Sequence, residues 1–576
     1  MTTTSDVVSV TGRLRMCFFL LIILISIIVC LIQYELQFTA FFRTMVSCIG
    51  KDMSNKTIIE FLNEYMKDPA VSFHMPGHKG RSDIFEKTGY SAFLRNMVTC
   101  DITEIPGADA LFCPETTLRS VMDNYAELYG AKHTELLVNG SSAGVMAAII
   151  GCVPVGGKLI LGRNSHHSAF SALRLGGINP VYVRPGIEPY SGLTGEISPE
   201  ALKQVCKANP DAEAVLITSP NYYGMLSDIA ALATVAHDYG MILIVDQAHG
   251  AHLKFFDDDA ESIRDKGGYV PFPRHAAEAL GADIVINSTH KTLLSFTGSG
   301  IMNICSDRVD VSAVSDALRM LQTTSPSYLL LAGLDINERI MREHGHAVVR
   351  GWREDLFRFY RKALRINGVR IAGGRMIAEA LKKGAEVVKQ AAADNDDPKY
   401  AEVTAASLFP MYHSRTGLDM TKINISMSEL GISGEQLDKE LRLRGIISEM
   451  VHGEYVMLMT GAGSRSSDYD CLLAALQSIS DSYGISRPER QKPRPAVDFV
   501  LDTAGVPFEA MSVPLYEADG MILYDPVIVY PPGTPIACPG EILTLDVITF
   551  ISEAIGRGEK VTGVDEEGMI RVELTH

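Results

Sequence analysis

The 576-residue chain lacks the cysteine patterns of a metal site or a small disulfide scaffold. Its ten cysteines are scattered, no two of them form a CxxC pair, and no cluster of cysteine and histidine has the spacing of zinc ligands. Isolated cysteines in a large chain are typical of buried thiols in a reducing compartment. We therefore predict no metal site and no disulfide framework.

Basic charge is also scarce. Lysine and arginine number 52 against 69 aspartates and glutamates, so the formal net charge is −17, and there is no long basic run. Such an acidic chain is a poor electrostatic partner for nucleic acid. With 47% hydrophobic and 21% charged residues, the composition is globular and excludes disorder as the general state. The length favours several domains.

One long hydrophobic run is present near the N-terminus, over residues 16–32. It lies at the lower length limit for a bilayer span and follows Arg13 and Arg15, as in a single-pass anchor. That charge pattern would carry the rest of the chain across the membrane. The alternative is a start codon assigned too far upstream, because Met53 begins a typical start of a soluble protein, with Ser54 able to cap a helix.

The pattern from about 116 to 305 alternates short apolar strands with amphipathic helices. Strands without polar alternation predict an α/β fold whose sheet is mostly parallel and covered on both faces. The clearest predicted strands are 158–162, 214–218, 241–246 and 282–287.

The rest of the chain divides by composition. Residues after 335 are richer in helix, and a charged, proline-rich stretch near 486–495 is typical of a linker. The predicted segments are an N-terminal extension (1–52), a major domain (53–335), a small α+β domain (336–485) and a C-terminal domain (486–576).

Small polar residues at two predicted strand ends suit an anion. Gly140, Ser141 and Ser142 open a predicted helix, where small residues, hydroxyls and free N–H groups favour anion binding. No Gly-Lys-Ser/Thr follows them, so the segment is not a P-loop. Ser288 and His290 can bind the same anion. An ordinary serine-containing helix cap is the alternative.

Three single side chains complete the pattern. Asp246 ends a buried strand, where a carboxylate needs a partner such as a protonated ring nitrogen or a salt bridge. Lys291 follows another strand and is a candidate Schiff-base former, since desolvation lowers an amine pKa; a solvated lysine is the alternative. His166 could stack on an aromatic ring or lie in a surface loop. Because ligands bind at the carboxyl ends of strands, these features together predict bound pyridoxal 5'-phosphate.

Longer motifs point to a family. They are FHMPGHKG (73–80), DITEIPGADALFCPE (101–115), LVNGSSAG (137–144), RNSHHSAFSAL (163–173), SPNYYG (219–224), VDQAHGAH (245–252), STHKTL (288–293), QTTSPSYLLLAGLD (322–335) and PPGTPIACPGE (531–541). With these in order, the chain resembles the ornithine/lysine/arginine decarboxylases, especially the shorter Gram-positive type. The resemblance implies the aspartate-aminotransferase-like large domain, fold type I of the pyridoxal phosphate enzymes, with smaller α+β domains after it.

The resemblance also implies roles for the candidate residues. Lys291 would be the Schiff-base lysine, Asp246 would keep the ring nitrogen protonated, and His249 would be a proton donor or substrate contact. His166 would stack on the ring. The implied phosphate ligands are Gly140, Ser141, Ser142, Ser288 and His290.

A basic end group on the substrate requires an acidic partner, because an unpaired buried cation is costly. Glu541 resembles such an acid, and Glu104 and Asp109 are further candidates. The chain differs from the family's common pattern at Gln247, Ala110 and His167, and these differences bear on substrate identity.

The implied activity is decarboxylation of arginine, lysine or ornithine to the amine and CO2, as in polyamine synthesis. The implied assembly is a homodimer or small homo-oligomer, with the catalytic part in the cytoplasm. The alternatives are another fold-type-I enzyme such as an aminotransferase, or a non-catalytic, membrane-tethered homologue.

Overall fold

The computed structural model describes residues 56–265, 274–379, 381–382, 416–483, 499, 501–530 and 535–574. The chain divides into two compact units, Met1–Val71 with Lys439–Ile446 and Ser72–Asp438 with Ile447–His576. The predicted anchor at 16–32 and the predicted linker near 486–495 lie outside the described residues. Within the part of the chain that is described, no helix combines the length and apolar character of a membrane span. The predicted boundaries after 52, 335 and 485 stay predictions.

The strands are β1 (Val71–Phe73), β2 (His133–Leu137), β3 (Lys158–Gly162), β4 (Asn179–Val183), β5 (Ala214–Thr218), β6 (Met225–Leu226), β7 (Ile242–Asp246), β8 (Ile284–Asn287), β9 (Gly300–Ile304), β10 (Arg370–Ile371), β11 (Gly417–Leu418), β12 (Lys422–Ser426), β13 (Ile446–Ser448), β14 (Met450–His452), β15 (Tyr455–Met459), β16 (Ala510–Pro514), β17 (Val527–Tyr530), β18 (Pro535–Ala537), β19 (Lys560–Thr562) and β20 (Met569–Glu573).

The α-helices are α1 (Ile58–Tyr65), α2 (Ser82–Lys87), α3 (Ser91–Arg95), α4 (Met97–Cys100), α5 (Thr117–Tyr129), α6 (Gly140–Cys152), α7 (His167–Gly176), α8 (Pro199–Ala208), α9 (Ile229–Asp238), α10 (Leu253–Asp265), α11 (Thr289–Thr292), α12 (Val311–Leu321), α13 (Tyr328–Ala363), α14 (Gly434–Leu443), α15 (Ser466–Tyr483) and α16 (Leu545–Gly556).

Helix α1 of the smaller unit begins with a capping box. Thr57 Oγ1 accepts the Glu60 N–H at 3.4 Å, and Glu60 Oε2 accepts the Thr57 N–H at 2.8 Å. The N-cap is thus Thr57, which satisfies two N–H groups that a helix start leaves free. The predicted cap Ser54 lies outside the described residues.

A seven-stranded sheet in the order β2-β9-β8-β7-β5-β3-β4 forms the centre of the larger unit. The pairs from β8 to β4 are parallel, whereas β9 runs antiparallel to both β2 and β8. Successive strand residues point to opposite faces. Leu216 and Ile244 therefore pack with α6 on one face, and Val215 and Val245 pack with α9 on the other. This confirms the predicted sheet.

Smaller sheets follow along the chain. Strands β10-β12-β15-β14 form an antiparallel sheet, and β16-β20 and β18-β17-β19 form two more near the C-terminus. A separate hydrophobic core lies under α16 and includes Leu523, Val547 and Ile551. The parallel strands β3, β5, β7 and β8 all end at one edge of the central sheet, where their following loops meet.

Candidate active site

Asp246 is the last residue of β7 and is 4% exposed. Its Oδ1 accepts the Ala248 N–H at 3.1 Å. Burial raises the pKa of the Asp246 carboxyl, while nearby Lys291 and the Ala248 N–H oppose that rise. Since a buried carboxylate is stabilised by a cationic partner, this position suits a protonated ring nitrogen.

Lys291 lies on α11 beside the loop after β7. Its Nζ is 3.1 Å from His249 Nε2. Burial lowers the pKa of Lys291, and the carboxylates of Asp246 and Glu449 partly offset this. Burial also lowers the pKa of His249 well below its ordinary value, and the Lys291 charge adds to the effect. Burial thus disfavours the charged form of both side chains. The neutral amine is the form that acts as a nucleophile, and the imidazole can exchange a proton.

The start of α6 faces the loop before α11. The Ser288 hydroxyl donates to Ser141 Oγ at 2.6 Å. Asn139, the N-cap residue, makes no side-chain cap hydrogen bond. Gly140 has a φ of 74°, and no atom lies within 4 Å of where its Cβ would be. Together with the neighbouring Ser142, this end of α6 offers hydroxyls and first-turn N–H groups to an anion.

His290 is buried and lies two residues after Ser288. Its Nδ1–H donates to the Ser299 carbonyl at 2.6 Å, and burial lowers the pKa of the ring. In the neutral ring Nε2 is then an acceptor. An anion next to Nε2 would favour the protonated ring, which donates from both nitrogens.

His166 is the N-cap of α7 at the carboxyl end of β3. Its Nδ1 accepts the Ser168 N–H at 3.3 Å, and its ring centroid lies 4.0 Å from that of His167. These contacts hold an exposed imidazole in place. A fixed, open ring at this edge suits stacking against an aromatic ligand.

Several buried polar atoms at this edge have no hydrogen-bond partner within the described part of the chain. Among them are Thr218 Oγ1, at the end of β5, and His249 Nδ1. Buried polar groups are normally hydrogen-bonded, so both atoms point to a polar ligand. The anion cradle (Ser141 and Ser142 at the start of α6, with Ser288 beside them), the buried Asp246 carboxylate, the buried Lys291 amine and these two atoms together fit pyridoxal phosphate.

Glu541 does not join this cluster. Its carboxylate pairs with the buried guanidinium of Arg163, directly through Nη1 and at 2.9 Å through Nη2. It also accepts the Cys538 N–H at 2.7 Å. The side chain predicted to meet the substrate is therefore a partner of the loop after β3, and no described contact joins it to Lys291.

The other two predicted acids also have local partners. Asp109 accepts the N–H groups of Thr116 at 2.8 Å and Leu118 at 3.0 Å, which caps the start of α5. Although desolvation opposes it, this N–H donation lowers the pKa of Asp109. Glu104 is exposed and accepts the Leu111 N–H at 3.1 Å. Neither contacts the Lys291 cluster among the described residues.

Tyr222, in a family motif but with no predicted role, and Glu449, which no prediction includes, lie next to the cluster. The Tyr222 ring centroid is 4.6 Å from that of His249, and the Tyr222 hydroxyl donates to Glu449 Oε1 at 3.0 Å. Tyr222 belongs to the SPNYYG segment between β5 and β6, and that location is the signal that could have identified it. Glu449 has no local sequence signal.

A buried charge cluster of Lys422, Asp419 and His252 holds the backbone at His249. Lys422 Nζ donates to the His249 carbonyl at 3.0 Å and to Asp419 Oδ2 at 3.1 Å. His252 Nε2 is 3.2 Å from Asp419 Oδ1, and all three charged or polar side chains are fully buried. The cluster fixes the backbone that carries His249.

Gln247, which the resemblance marked as a difference from the family's common pattern, points away from the site. Its Nε2 donates to Glu278 Oε2 at 3.1 Å and Asn287 Oδ1 at 3.0 Å, and its Oε1 accepts the Ala277 N–H at 2.9 Å. Gln247 thus belongs to a buried network beneath the sheet edge and has no described contact with Lys291.

Glycines hold the lysine loop between two distant segments, which we call the glycine clamp (77 and 461–463). The Gly77 N–H donates to the His290 carbonyl at 2.7 Å, and the Ala462 N–H donates to the Thr292 carbonyl at 2.9 Å. The Gly463 N–H donates to the Gly77 carbonyl at 2.9 Å. A Cβ at position 77 would overlap backbone of the lysine loop, so only glycine permits this approach.

Comparison with known proteins gives relatives over most of the chain. The family described as "Orn/Lys/Arg decarboxylase, major domain" matches residues 57–468. An arginine decarboxylase of Bacillus subtilis is 30% identical over 520 residues, which cover 89% of this chain and 96% of the relative. An arginine decarboxylase of Bacillus anthracis is 29% identical over 518 residues, with 88% and 94% coverage.

Solved structures agree in fold. Lysine decarboxylase A from Pseudomonas aeruginosa superposes with a TM-score of 0.64 at 17% identity, covering 89% of this chain and 80% of that one. This confirms the predicted fold class, α/β fold type I with a mostly parallel central sheet.

Proposed function

Because the chain belongs to the Orn/Lys/Arg decarboxylase family, we propose that it releases CO2 from arginine, lysine or ornithine with pyridoxal phosphate as cofactor. The observation that carries this proposal is the grouping of Lys291, Asp246 and His249 beside an anion cradle at one sheet edge. A lysine amine with a lowered pKa and a buried carboxylate are the two groups that such chemistry requires.

The cofactor would be held by residues already grouped in the structure. Its phosphate suits the hydroxyls of Ser141, Ser142 and Ser288, with the Gly140 turn and His290 beside them. Bound pyridoxal phosphate supplies an aldehyde that binds amines covalently and a ring that accepts the electron pair left when CO2 departs.

The protein's own groups then have separate tasks. Asp246 would hold a proton on the ring nitrogen, which would keep the ring electron-withdrawing. His166 would stack on the ring and orient it. Lys291 Nζ would be the amine that holds the cofactor and would take up a proton from the substrate ammonium that displaces it. In its protonated form this amine, or a protonated His249 Nε2 3.1 Å away, would return a proton to the substrate Cα.

The test is CO2 release by the purified full chain with pyridoxal phosphate and arginine, lysine or ornithine, each offered separately. We expect release from at least one, loss of release in Lys291→Ala, and a folded but nearly inactive Asp246→Ala. Borohydride reduction and peptide mass analysis should place the cofactor on Lys291. No release from any of the three, with amine exchange onto a keto acid instead, would replace the proposal with an aminotransferase.

We also propose a cytoplasmic location for the catalytic part and assembly as a homodimer or small homo-oligomer. The free cysteines of the described residues, such as buried Cys206 and Cys538, support a reducing compartment. Anchoring through 16–32 stays a prediction. Membrane fractionation and N-terminal analysis of native protein test it, and a mature start at Met53 or Ser54 would end it.

A further inference from the structure

The proposed substrate ends in a cation. The three acids predicted to bind that cation each have another hydrogen-bond or ion-pair partner. Glu541 pairs with Arg163, Asp109 caps α5, and Glu104 is exposed and bound to the Leu111 N–H. A cation entering a partly buried site requires an opposite charge. The site therefore needs another carboxylate near the lysine amine.

Glu449 lies in the right place. It joins β13 to β14 and is half-buried. Its Oε1 accepts the Tyr222 hydroxyl at 3.0 Å and its Oε2 accepts the Met75 N–H at 2.9 Å. A chain of contacts links Glu449 to the reactive amine. The Tyr222 ring packs on His249, and His249 Nε2 lies 3.1 Å from Lys291 Nζ.

The charge of Glu449 acts on two lysines of the site although its carboxylate is in no close ion pair among the described residues. Burial lowers the pKa of Lys291 and of Lys79, and the negative charge of Glu449 opposes both shifts. Lys79 Nζ donates instead to the backbone carbonyls of His74 and Met459. No ion pair among the described residues includes Glu449. By contrast, Asp419 is paired with Lys422.

We propose that Glu449, oriented by the Tyr222 hydroxyl, binds the distal ammonium or guanidinium of the substrate. This deepens the proposed function and rests on it. Each carboxylate oxygen accepts one hydrogen bond and keeps a further lone pair for a charged donor. Charge-assisted hydrogen bonds are the stronger kind, so the pair would favour basic amino acids over uncharged ones of equal length.

The experiment compares wild type, Glu449→Gln and Glu429→Gln. Glu429 is an exposed acid outside the site, and the same substitution there is the matched control. kcat/KM is measured for arginine, lysine and ornithine. Inhibition is measured for the diamine or guanidino product and for n-alkylamines of equal length. Bound cofactor is quantified in each protein.

Glu449→Gln should lower kcat/KM for the basic substrate about 10²-fold or more, with cofactor content unchanged. The preference for the charged product over the alkylamine should fall by a similar factor. Glu429→Gln should match wild type in both respects. A Glu449→Gln enzyme that keeps the wild-type preference would overturn the proposal.

Wild type alone provides a second decision that needs no folded variant. If it releases CO2 but is inhibited equally by the charged product and the alkylamine, no acid binds the distal cation and the Glu449 proposal fails. If wild type releases no CO2 from any basic amino acid, the proposed function fails first.

Discussion

At the scale of single residues, the stability of a buried carboxylate near the site depends on the hydrogen-bond donors around it. Gln247 lies in a buried network in which the nearby Glu278 supplies the only carboxylate among the described residues. Glu278 also accepts from Asn287 at 2.7 Å and Asn303 at 2.9 Å. Burial raises the pKa of Glu278, while those amide donors oppose the rise. The neutral Gln247 thus leaves one buried negative charge rather than two.

Gln247→Glu should destabilise the protein by about 2–5 kcal/mol at pH 7. Two carboxylates in one buried network raise each other's pKa, so one of them binds a proton more readily in the folded chain than in the unfolded chain. The penalty therefore shrinks as pH falls. Urea unfolding at pH 7 and pH 5 measures it, with wild type as the reference. An equal loss at both values would contradict this account.

His78 should make stability fall in mild acid. Burial, with the charges of Lys79 and His290, lowers the pKa of His78 from 6.5 to about 4. Its Nδ1 accepts the Gly80 N–H at 3.0 Å, which requires an unprotonated nitrogen. Below pH 6.5 the unfolded chain takes up a proton that the folded chain refuses. The free energy of unfolding should thus fall by up to about 2 kcal/mol between pH 6.5 and pH 5.

His78→Asn keeps an acceptor near Nδ1 but does not titrate in this range. Denaturant unfolding of both proteins at pH 7 and pH 5 isolates the histidine. A variant with the same pH slope as wild type would show that other groups cause it.

At the scale of elements, the central sheet could be predicted well because buried parallel strands are short, uninterrupted apolar runs. The predicted strands 158–162 and 214–218 coincide with β3 and β5. The predicted strands 241–246 and 282–287 begin one or two residues early but end with β7 and β8. Because the end of a strand positions the loop after it, the predicted strand also placed Asp246 correctly at the sheet edge.

Helix packing was not predictable from the same patterns, and two glycines show why. Gly151 on α6 lies against α12, where a Cβ would be 2.6 Å from Val314 Cα. Gly351 on α13 is exposed, and no atom lies within 4 Å of its Cβ position. In sequence both are simply glycines within helices, yet only one is required by a neighbouring backbone.

Alanine substitution should therefore have opposite effects at these two positions. Gly351→Ala should stabilise the protein by about 0.5–1 kcal/mol through helix propensity alone. Gly151→Ala gains the same propensity but overpacks a contact between two helices, so it should destabilise by about 1–2 kcal/mol net. Thermal and urea unfolding of both variants measure the difference, and equal signs would contradict the packing argument.

At the scale of the whole molecule, long-range contacts complete the site. Tyr222 and Glu449 are 227 residues apart in sequence, and no local pattern around Glu449 signals the contact. The same holds for Glu541, whose motif suggested a substrate acid. Its partner Arg163 lies 378 residues away, and only the folded chain shows that the two charges neutralise each other.

Glu541→Gln should act on stability and hardly at all on substrate affinity. It leaves the buried Arg163 cation without a counter-charge, which costs about 3–5 kcal/mol. Replacing both residues with methionine removes both charges and should recover most of that loss. Urea unfolding and KM for the basic substrate are measured together. Unchanged stability with a raised KM would restore Glu541 as the substrate's acid.

The glycine clamp also has a consequence in time. Residue 461 is synthesised about 170 residues after Lys291. At about 5–20 residues per second, that interval is on the order of 10–30 s on the ribosome. During this interval the lysine loop of the nascent chain can be held by Gly77, whereas residues 461–463, which also hold it in the folded chain, have not yet been made. A ribosome stalled in this interval would leave a chain with its lysine already made and the backbone that holds it still untranslated.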